Sequence, residues 1–296
     1  MSMADFPQRT DPSEAPDPGH EPPARVARVP VKTHGGRSVP AGGRAVPEET
    51  PVALSYNGTT QAVMMASPGD LEDFAVGFTL TEGLAERPDE IRSIDIAVFD
   101  EGIDLRIWLD TRAATRFSER RRGLVGPTGC GLCGIESLGE AVRVPAHVRD
   151  ETRIHAGVIR EAQALMVAGQ ALRAETSAVH AAAFWKDGEG LVGLREDVGR
   201  HNALDKLVGA LSARMDRVAD WSQRRPGAGG LLLLTSRVSV EMVMKAAVLG
   251  APVLAAVSAP TALAVRTADA AGITLVASAR EDGFEVFTHP DRIDGL

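Results

Sequence analysis

Residues 231–257 have the sequence LLLLTSRVSVEMVMKAAVLGAPVLAAV, in which two apolar runs flank a segment with helical periodicity. Residues 231–234 predict a fully buried strand, because four leucines follow one another with no polar residue between them. Residues 240–249 predict a helix that ends at Gly250, since glycine readily adopts the left-handed conformation that closes helices. Residues 253–257 predict the next strand. Apolar strands that alternate with helices indicate a mostly parallel sheet with helices on both faces.

The same alternation continues on both sides of this segment. Helical spacing predicts helices, and short apolar runs predict strands, at the following positions: helices at 158–168, 198–211 and 262–271, and strands at 180–185, 191–194, 273–276 and 284–287. The pattern therefore predicts an α/β domain over residues 151–296, with its boundary near 145–155.

Residues 50–150 have a different pattern, which predicts a small α+β domain carrying the only two cysteines of the chain. Asn57-Gly58 lies between two alternating runs and is the strongest short signal for a β-hairpin. A second hairpin is expected around residues 100–102. Ser67-Pro68 predicts the N-cap and the first residue of a helix that ends near Gly83.

Two further segments complete this half of the chain. Residues 135–144 predict a short helix. Residues 1–49 are rich in proline, glycine and charged residues and contain few large apolar side chains. Such a segment cannot bury enough surface to offset its ordering entropy, so we expect a tail that is disordered at least in part.

The two cysteines lie in the sequence GCGLCG at residues 129–134, as Cys130 and Cys133. Glycine follows each cysteine and also precedes the pair. Because glycine lacks Cβ, its backbone adopts positive φ and comes close to other molecules. We expect a mobile loop that presents thiols to a partner. Three arginines at 120–122 are placed to lower a thiol pKa or to attract an anion.

Four roles are open to this pair. A structural zinc site needs four ligands, and the chain has neither a second cysteine pair nor a histidine pair at the usual spacing. A redox dithiol normally begins a helix after a strand, whereas glycine follows both cysteines here. Two free thiols on a structural turn would leave the clustered glycines unexplained. The interpretation we favour is a cysteine that carries a group, most simply a sulfane sulfur, because donor and acceptor must both reach the thiolate.

Composition excludes several functional classes. The net charge of −8 argues against a general nucleic-acid binder, since affinity for phosphate backbones comes from clustered lysine and arginine. No apolar run approaches the ~20 residues that span a bilayer, and the N-terminus lacks a secretory signal. The glycines of the cysteine loop also spell G-x-G-x-x-G, but no strand precedes them. We expect a cytoplasmic protein with reduced thiols and no partner among nucleic acids or membranes.

The densest run of charge is REDVGRHNALDK at residues 195–206, which begins at a strand end and continues into a helix. Asp197 is placed to cap this helix, and His201 lies one turn before Asp205. Two interpretations are open. The run forms a capped surface helix with internal ion pairs, or it forms the wall of a binding site in which Arg195 and Arg200 contact phosphate.

Two hydroxyl-rich turns follow neighbouring predicted strands. Residues 235–239 (TSRVS) include Ser236 and Arg237, and residues 258–261 (SAPT) include Ser258 and Thr261. Small hydroxyls, free N–H groups and an arginine before a helix make a general anion site. Since both turns would lie at the same edge of a parallel sheet, they suggest a phosphate-bearing ligand.

These motifs resemble those of the FdhD family of formate dehydrogenase accessory sulfurtransferases. The similar stretches are the cysteine loop, the charged run, the turn that begins at Ser258, Asn57-Gly58 and residues 72–83. The resemblance covers about residues 50–292. It implies a cytidine-deaminase-like three-layer α/β/α domain with a smaller N-terminal β-containing domain.

The resemblance also implies a function. Cys130 would accept sulfur from a cysteine desulfurase as a persulfide, assisted by Cys133, and pass it to the molybdenum of a bis-molybdopterin guanine dinucleotide cofactor bound as substrate. The client would be the catalytic subunit of a formate dehydrogenase, and the protein would form a homodimer without a metal of its own. The family's cofactor-binding segment matches Phe284, Glu285, Val286, Phe287, Thr288 and His289. The expected cofactor-binding set also includes residues that would contact the guanine nucleotide arms. These are Arg195, His201, Ser236, Arg237, Ser258 and Thr261.

Two positions depart from the family pattern. The family often has Ser-Gly-Arg at 235–237 and Thr-Gly-Gly before His180, where this chain has TSR and TSAV. Each departure replaces glycine with a residue that carries Cβ, which alters how closely phosphates approach. A zinc deaminase would need His-x-Glu and Pro-Cys-x-x-Cys, and both are missing here. The alternative to sulfur transfer is a chaperone that binds the molybdenum cofactor without sulfur chemistry.

Overall fold

A computed structural model describes residues 21–34, 42–122, 146–215, 221, 225–280 and 283–296. Cys130, Cys133 and the helix predicted at 135–144 lie outside the described residues. Within them, a four-stranded sheet forms first: β3 (Thr50–Tyr56), β4 (Thr59–Ala66), β5 (Ile91–Phe99) and β6 (Gly102–Leu109), in the order β4-β3-β6-β5.

Both predicted hairpins are confirmed in this sheet. Strands β3 and β4 pair antiparallel, as do β5 and β6, while β3 and β6 run parallel at the centre. Asn57 and Gly58 both have positive φ, 49° and 79°, which the tight turn between β3 and β4 requires. Along β3, Val52, Leu54 and Tyr56 alternate toward one face and are fully buried. The period of two therefore directs one face of the sheet to the core.

The helix predicted after this hairpin is α1 (Leu71–Thr81), but its predicted start is wrong. Asp70 is the N-cap, in the left-handed conformation, and Ser67 lies outside the helix. Tertiary contacts hold Ser67 elsewhere: its backbone N–H donates to Asp197 at 3.0 Å, and its hydroxyl accepts from the N–H of Val198 at 3.2 Å. A local capping signal was overridden by partners about 130 residues away.

A six-stranded sheet forms the second half, with the strand order β13-β12-β11-β10-β8-β9. Its strands are β8 (His180–Lys186), β9 (Gly190–Asp197), β10 (Gly230–Leu234), β11 (Val253–Ala256), β12 (Thr274–Arg280) and β13 (Gly283–Val286). The predicted mostly parallel sheet is wrong, because only the β10–β11 and β11–β12 pairs are parallel. The hairpins β8–β9 and β12–β13 and the β10–β8 pair are antiparallel. Pairing in this sheet is therefore mixed.

Helices cover both faces of the six-stranded sheet, as the apolar strands predicted. The longer helices of this half are α3 (Ala156–Gly169), α5 (Arg200–Ala213), α6 (Val240–Leu249) and α7 (Ala262–Ala270). Leu232 and Leu234 of β10 pack with α5, α6 and α7, whereas Leu231 and Leu233 pack with α3 on the opposite face. The helix α6 and its closing residue Gly250, with φ of 80°, match the prediction.

The two sheets share one hydrophobic core across the contact between α1 and α5. A Cβ on Gly77 would lie 1.7 Å from the carbonyl oxygen of Asp205, and a Cβ on Gly209 would lie 1.9 Å from that of Asp73. The two glycines therefore let the helix backbones touch, which no side chain at either position would allow. The division into two domains near residues 145–155 stays a prediction.

The remaining elements lie around these two sheets. They are β1 (Val26–Val29), β2 (Arg44–Pro47), α2 (Thr111–Arg122), β7 (Ile154–His155), α4 (Ala171–Thr176), β14 (Ile293–Asp294) and 3-10 turns at Pro88–Glu90 and Pro290–Arg292. Strands β1 and β2 pair antiparallel, so this part of the segment predicted to be a disordered tail is folded. No helix among the described residues is long and apolar enough to cross a membrane.

Candidate functional site

The site lies at the edge of the six-stranded sheet where β9, β10, β11 and β12 all end. The turns after β10 and β11 are joined side by side: the N–H of Val238 donates to Ala259, at 3.3 Å, and the N–H of Thr261 donates to Val238, at 2.9 Å. The two hydroxyl-rich turns therefore lie next to one another, as the sequence predicts. The helices α6 and α7 begin directly after them, so two helix N-termini meet at this edge.

The hydroxyls at this edge differ in what they bind. Thr261 caps α7, and its Oγ1 accepts from the N–H of Ala264 at 3.2 Å. The hydroxyl of Ser236, a residue only 4% exposed, donates to the carbonyl of Arg237 at 3.0 Å. Ser239 precedes α6 at the N-cap position, yet its side chain makes no capping hydrogen bond. Arg237 is exposed, so its cation is open to an anionic ligand.

The start of α5 adds His201 and Arg200 to the same edge. Burial, together with the charges of Arg200 and Lys245, lowers the pKa of His201 to about 4, against the opposing charges of Glu241 and Glu82. The imidazole is therefore neutral at physiological pH. Its Nε2 and the Nε of Arg200 are buried and have no hydrogen-bond partner among the described residues, and the same holds for Ser239 Oγ and Glu241 Oε2. We call Arg200, His201, Ser239 and Glu241 the unpaired group.

His180, at the start of β8, lies beside this edge. Its backbone pairs with Asp197 at the end of β9. Burial and the nearby charges of Arg200 and Arg173 lower the pKa of His180. The ring is thus another neutral imidazole close to arginine side chains.

Arg195 is bound within the protein. Its Nη2 lies 2.7 Å and its Nε 2.8 Å from Oδ2 of Asp73, and its Nε lies 3.6 Å from Asp70. The two carboxylates at the start of α1 thus hold this guanidinium. A phosphate ligand would have to compete with two carboxylates for it.

The predicted cofactor segment 284–289 crosses the sheet from one edge to the other. Phe284 and Glu285 lie near the edge where β12 ends, because β13 runs antiparallel to β12. Thr288 lies toward the opposite edge, where its hydroxyl donates to Ile273, at 2.7 Å, and accepts from Leu275, at 2.8 Å.

The end of this segment is bound to α7. The Nε2 of His289 lies 3.0 Å from the carbonyl oxygen of Asp269, and Phe287 is 40% exposed. The structure therefore brings His201, Ser236, Arg237, Ser258, Thr261 and Phe284 toward one edge. It places Phe287, Thr288 and His289 away from that edge.

The charged run at 195–206 divides into two sets of contacts. Asp197 and Lys206 are both 0% exposed and form an ion pair of 2.6 Å. Asp197 also accepts from the N–H groups of Ser67 and Gly199 and from the amide of Asn202, and Lys206 donates to the carbonyl of Ser67. We call Ser67, Asp197, Asn202 and Lys206 the Asp197 network. The interpretation as a capped surface helix is wrong, because one face of α5 is buried between the two sheets and Gly199 is its N-cap.

A second buried ion pair, which the sequence analysis missed, involves Asp205, the residue of α5 directly before Lys206. Lys245 donates to both carboxylate oxygens of Asp205, at 2.8 and 3.0 Å, and to Glu82 and Thr81, each at 2.9 Å. Burial alone would lower the pKa of Lys245, but the two carboxylates outweigh it and raise the pKa. The signal was a single lysine within the otherwise apolar stretch 242–249.

Two serines near the site adopt the left-handed backbone conformation. Ser177, at the end of α4, has φ of 58°, and Ser278, at the bulge in β12, has φ of 51°. Residues other than glycine seldom adopt this conformation. Ser177 and Ser278 therefore hold a backbone shape that glycine adopts more easily, at a small cost in strain.

The cysteine loop itself lies outside the described residues, but its flanks are visible. Before it, α2 packs on the small sheet, with the rings of Phe117 and Tyr56 5.4 Å apart. After it, Val148 donates to the carbonyl of Ala271, which follows α7, at 2.8 Å. The segment 123–145 therefore connects the small sheet to the far end of α7. No cluster of three or more potential metal ligands occurs among the described residues.

The described chain is a mixed α/β protein whose polar residues gather at one sheet edge, and comparison with known proteins identifies its family. The FdhD/NarQ family model matches residues 47–294, so the chain belongs to that family. A relative from Agrobacterium fabrum, named sulfur carrier protein FdhD, is 51% identical over 276 residues, covering 91% of this chain and 95% of the relative. A Brucella abortus protein of the same name is 55% identical over 251 residues, covering 84% and 90%.

A solved structure gives the same result for the fold. The crystal structure of a formate dehydrogenase accessory protein from Desulfotalea psychrophila matches with a TM-score of 0.65 at 26% identity. The match covers 90% of this chain and 98% of that one. The similarity therefore extends over both sheets and is not confined to one motif.

Proposed function

We propose that this protein carries sulfur from a cysteine desulfurase to the molybdenum cofactor of a formate dehydrogenase. The observation that carries the proposal is membership of a family whose close relatives are named sulfur carrier proteins, in a chain whose only cysteines are Cys130 and Cys133. The name of the solved relative supports a formate dehydrogenase as the client.

The proposed loading step is a transfer between two thiols. The Cys130 thiolate attacks the outer sulfur of the desulfurase persulfide, a new S–S bond forms on Cys130, and the desulfurase cysteine leaves as a thiolate. Cys133 assists. Transfer of the outer sulfur to the molybdenum of the bis-molybdopterin guanine dinucleotide substrate would break the S–S bond and return Cys130 to the thiolate state, and the molybdenum would supply the two electrons that convert the sulfur to a sulfido ligand. The protein acts in the cytoplasm as a homodimer.

The edge described above supports a role in holding the substrate's nucleotide arms. Two helix N-termini meet there, and both favour phosphate through free N–H groups and the helix dipole. Arg237, an exposed residue in the turn between the end of β10 and the start of α6, adds a positive charge. We assign the phosphates to this edge, with Ser258 and Thr261 on the adjoining turn.

The α/β half supports the finer fold assignment. Helices on both faces of a six-stranded sheet are consistent with the cytidine-deaminase-like three-layer architecture that we propose for residues 151–296. Deamination does not follow from that fold, because function depends on the site. His180 is followed by two alanines where a zinc deaminase has His-x-Glu.

Intact mass after incubation with a cysteine desulfurase and cysteine tests the proposal directly. The wild-type protein is expected to gain one sulfur, and reducing agent is expected to remove it, which distinguishes a persulfide from double oxidation of a thiol. Cys130→Ala is expected to abolish the gain, while Cys133→Ala serves as the matched control with one thiol left. If the wild type gains nothing from an active donor, sulfur transfer is excluded and a cofactor-binding chaperone takes its place.

A further inference from the structure

The hairpin formed by β1 and β2 is an addition to the part of the chain that the family model matches. That model begins at residue 47, and the two strands lie almost wholly before it. The hairpin is nevertheless folded against the rest of the molecule. The N–H of Glu48 donates to the carbonyl of Arg25 at 2.9 Å, and Ala45 is only 8% exposed. A two-stranded hairpin this short is marginal by itself in water, so its shape depends on the surface it packs against.

The hairpin bridges the two halves of the molecule. On one side, Nη2 of Arg25 lies 3.4 Å from Oδ2 of Asp70, the N-cap of α1. The same guanidinium lies against the backbone of Gly69, where a Cβ would meet Arg25 Nε at 2.7 Å. On the other side, Nη2 of Arg28 lies 3.7 Å from Oε1 of Glu175 in α4, and β2 packs on the same helix. One arginine therefore reaches the start of α1, while the other reaches the α/β half.

The two elements that the hairpin bridges also hold the end of β9. The carboxylates at the start of α1 bind Arg195. In the first turn of α4, the N–H groups of Leu172 and Arg173 donate to the carboxylate of Glu196 at 2.8 and 2.9 Å. These two residues of β9 lead through Asp197 into α5. A clamp across α1 and α4 therefore acts on the strand end from which α5 begins.

The contacts of the hairpin are weak enough for it to detach. Both ion pairs are long, at 3.4 and 3.7 Å, and the side chains in them are between 27% and 55% exposed. Ion pairs of this kind contribute little to stability and are screened by salt. The Nε of Arg25 is buried without a hydrogen-bond partner among the described residues, and such an unsatisfied donor opposes docking.

We propose that the β1–β2 hairpin is a salt-sensitive strap, which clamps α1 to α4 when it is docked and loosens the end of β9 when it detaches. Detachment breaks two exposed ion pairs and leaves the four-stranded and six-stranded sheets intact, because neither strand of the hairpin belongs to them. The rigidity of the sheet edge thus depends on ionic strength. The strap is independent of the proposed function, since it requires neither sulfur transfer nor a bound cofactor.

Hydrogen exchange of the full chain, followed by mass spectrometry of its peptides, tests the strap. Raising NaCl from about 0.1 M to about 1 M shortens the Debye length from about 10 Å to about 3 Å. Peptides that cover β1 and β2 are expected to exchange about three- to tenfold faster at high salt. Residues 172–173 and 198–199, whose N–H groups hold the end of β9, are expected to follow. The peptide over β10, inside the six-stranded sheet, is expected to keep its rate.

Charge variants separate the strap from general effects of salt. Arg28→Glu replaces attraction to Glu175 with repulsion, so it should accelerate exchange at low salt by about the same factor. Glu175→Arg added to Arg28→Glu restores an ion pair of reversed polarity and should return exchange to the wild-type rate. Arg160→Glu, on the exposed surface of α3, makes the same change in net charge as Arg28→Glu and should leave all these peptides unchanged.

Two results would overturn the strap. If β1 and β2 exchange as slowly as β10 at both salt concentrations, the hairpin opens only when the whole molecule unfolds. If β1 and β2 exchange faster in Arg28→Glu while residues 172–173 and 198–199 keep their wild-type rates, the hairpin detaches without having clamped the end of β9. The measurement of sulfur loading answers the separate question of the proposed function.

Discussion

The Asp197 network and the unpaired group both include residues from the start of α5, yet their polar atoms differ in whether they have partners among the described residues. In the first, every carboxylate oxygen and the ammonium of Lys206 has a partner, and all of them are buried between the two sheets. In the second, Arg200 and His201 occupy adjacent positions in the same charged run and keep unpaired atoms at the sheet edge. A single motif thus supplies both the interior contacts that fix α5 and the side chains that remain open to a ligand.

Removing the cation of the Asp197 network should produce the largest effect. Lys206→Met leaves the buried Asp197 without the cation that pairs with it, which is expected to cost about 3–5 kcal/mol of unfolding free energy. Urea denaturation measures this loss of unfolding free energy. Lys186→Met is the control, because Lys186 forms a partly exposed ion pair with Glu189. A loss below about 1 kcal/mol for Lys206→Met would show that the network is not required for stability.

The next effect depends on pH and involves the unpaired group. His201 binds a proton in the unfolded chain near its ordinary pKa of about 6.5 but in the folded chain only near 4. The part of the unfolding free energy that depends on His201 is therefore fully present above pH 6.5. It is lost as the pH falls toward 4, and the loss from this residue is about 2–3 kcal/mol.

His201→Gln keeps a neutral polar side chain and should flatten that decline. Unfolding free energies measured from pH 7 to pH 4 give the difference between the two proteins, which cancels the titration of other groups. Identical slopes for both proteins would mean that His201 protonates freely in the folded state.

The glycine contact between α1 and α5 should be less costly to disturb than either buried ion pair, because helices can shift slightly. Gly209→Ala introduces a Cβ where only 1.9 Å separates it from the carbonyl oxygen of Asp73, and is expected to destabilise by about 1–3 kcal/mol. Gly157→Ala, in the first turn of α3, is the matched control, because its Cβ would meet no backbone and only the side chain of His155, 3.2 Å away, so it should cost little. Equal stabilities of the two variants would contradict the backbone contact.

The smallest effect compares two N-cap residues at the site. Thr261→Ala removes a hydroxyl that caps α7 and is expected to cost about 1 kcal/mol. Ser239→Ala removes a hydroxyl with no capping bond and is expected to cost close to nothing in the absence of ligand. Thermal unfolding of the pair resolves the difference. A comparable loss for Ser239→Ala would mean that its hydroxyl already serves the fold.

Local patterns were sufficient where a residue's partners lie close in sequence. The helix at 240–249, its closing Gly250 and the hairpin at Asn57-Gly58 all follow from neighbouring residues, and the structure contains them. Partners far along the chain could not be deduced in this way. Ser67 has the sequence pattern of an N-cap, but it forms hydrogen bonds with Asp197 and Val198 instead. No pattern of neighbouring residues predicts those partners.

The direction of each strand relative to its neighbour could not be predicted either, because pairing strands such as β8 and β10 lie far apart in the chain. The apolar runs predicted strands correctly, but they do not record that β8 pairs with β10 in the opposite direction. At the site, the hydroxyl-rich turns were sufficient to predict the sheet edge at which the polar residues gather. Glu241, by contrast, resembles an ordinary acidic residue in the first turn of a helix. It differs in that its Oε2 is buried without a hydrogen-bond partner among the described residues, which no local sequence pattern predicts.

The separation between Ser67 and Asp197 has a consequence for how the protein is made. The two residues that bond across the α1–α5 contact are 130 positions apart in the chain. At a synthesis rate of about 5–20 residues per second, the small sheet and α1 leave the ribosome roughly 7–26 seconds before α5 exists to cover them. During that interval the apolar face of α1 is exposed. The nascent chain therefore carries apolar surface that is prone to aggregate until α5 has been synthesised.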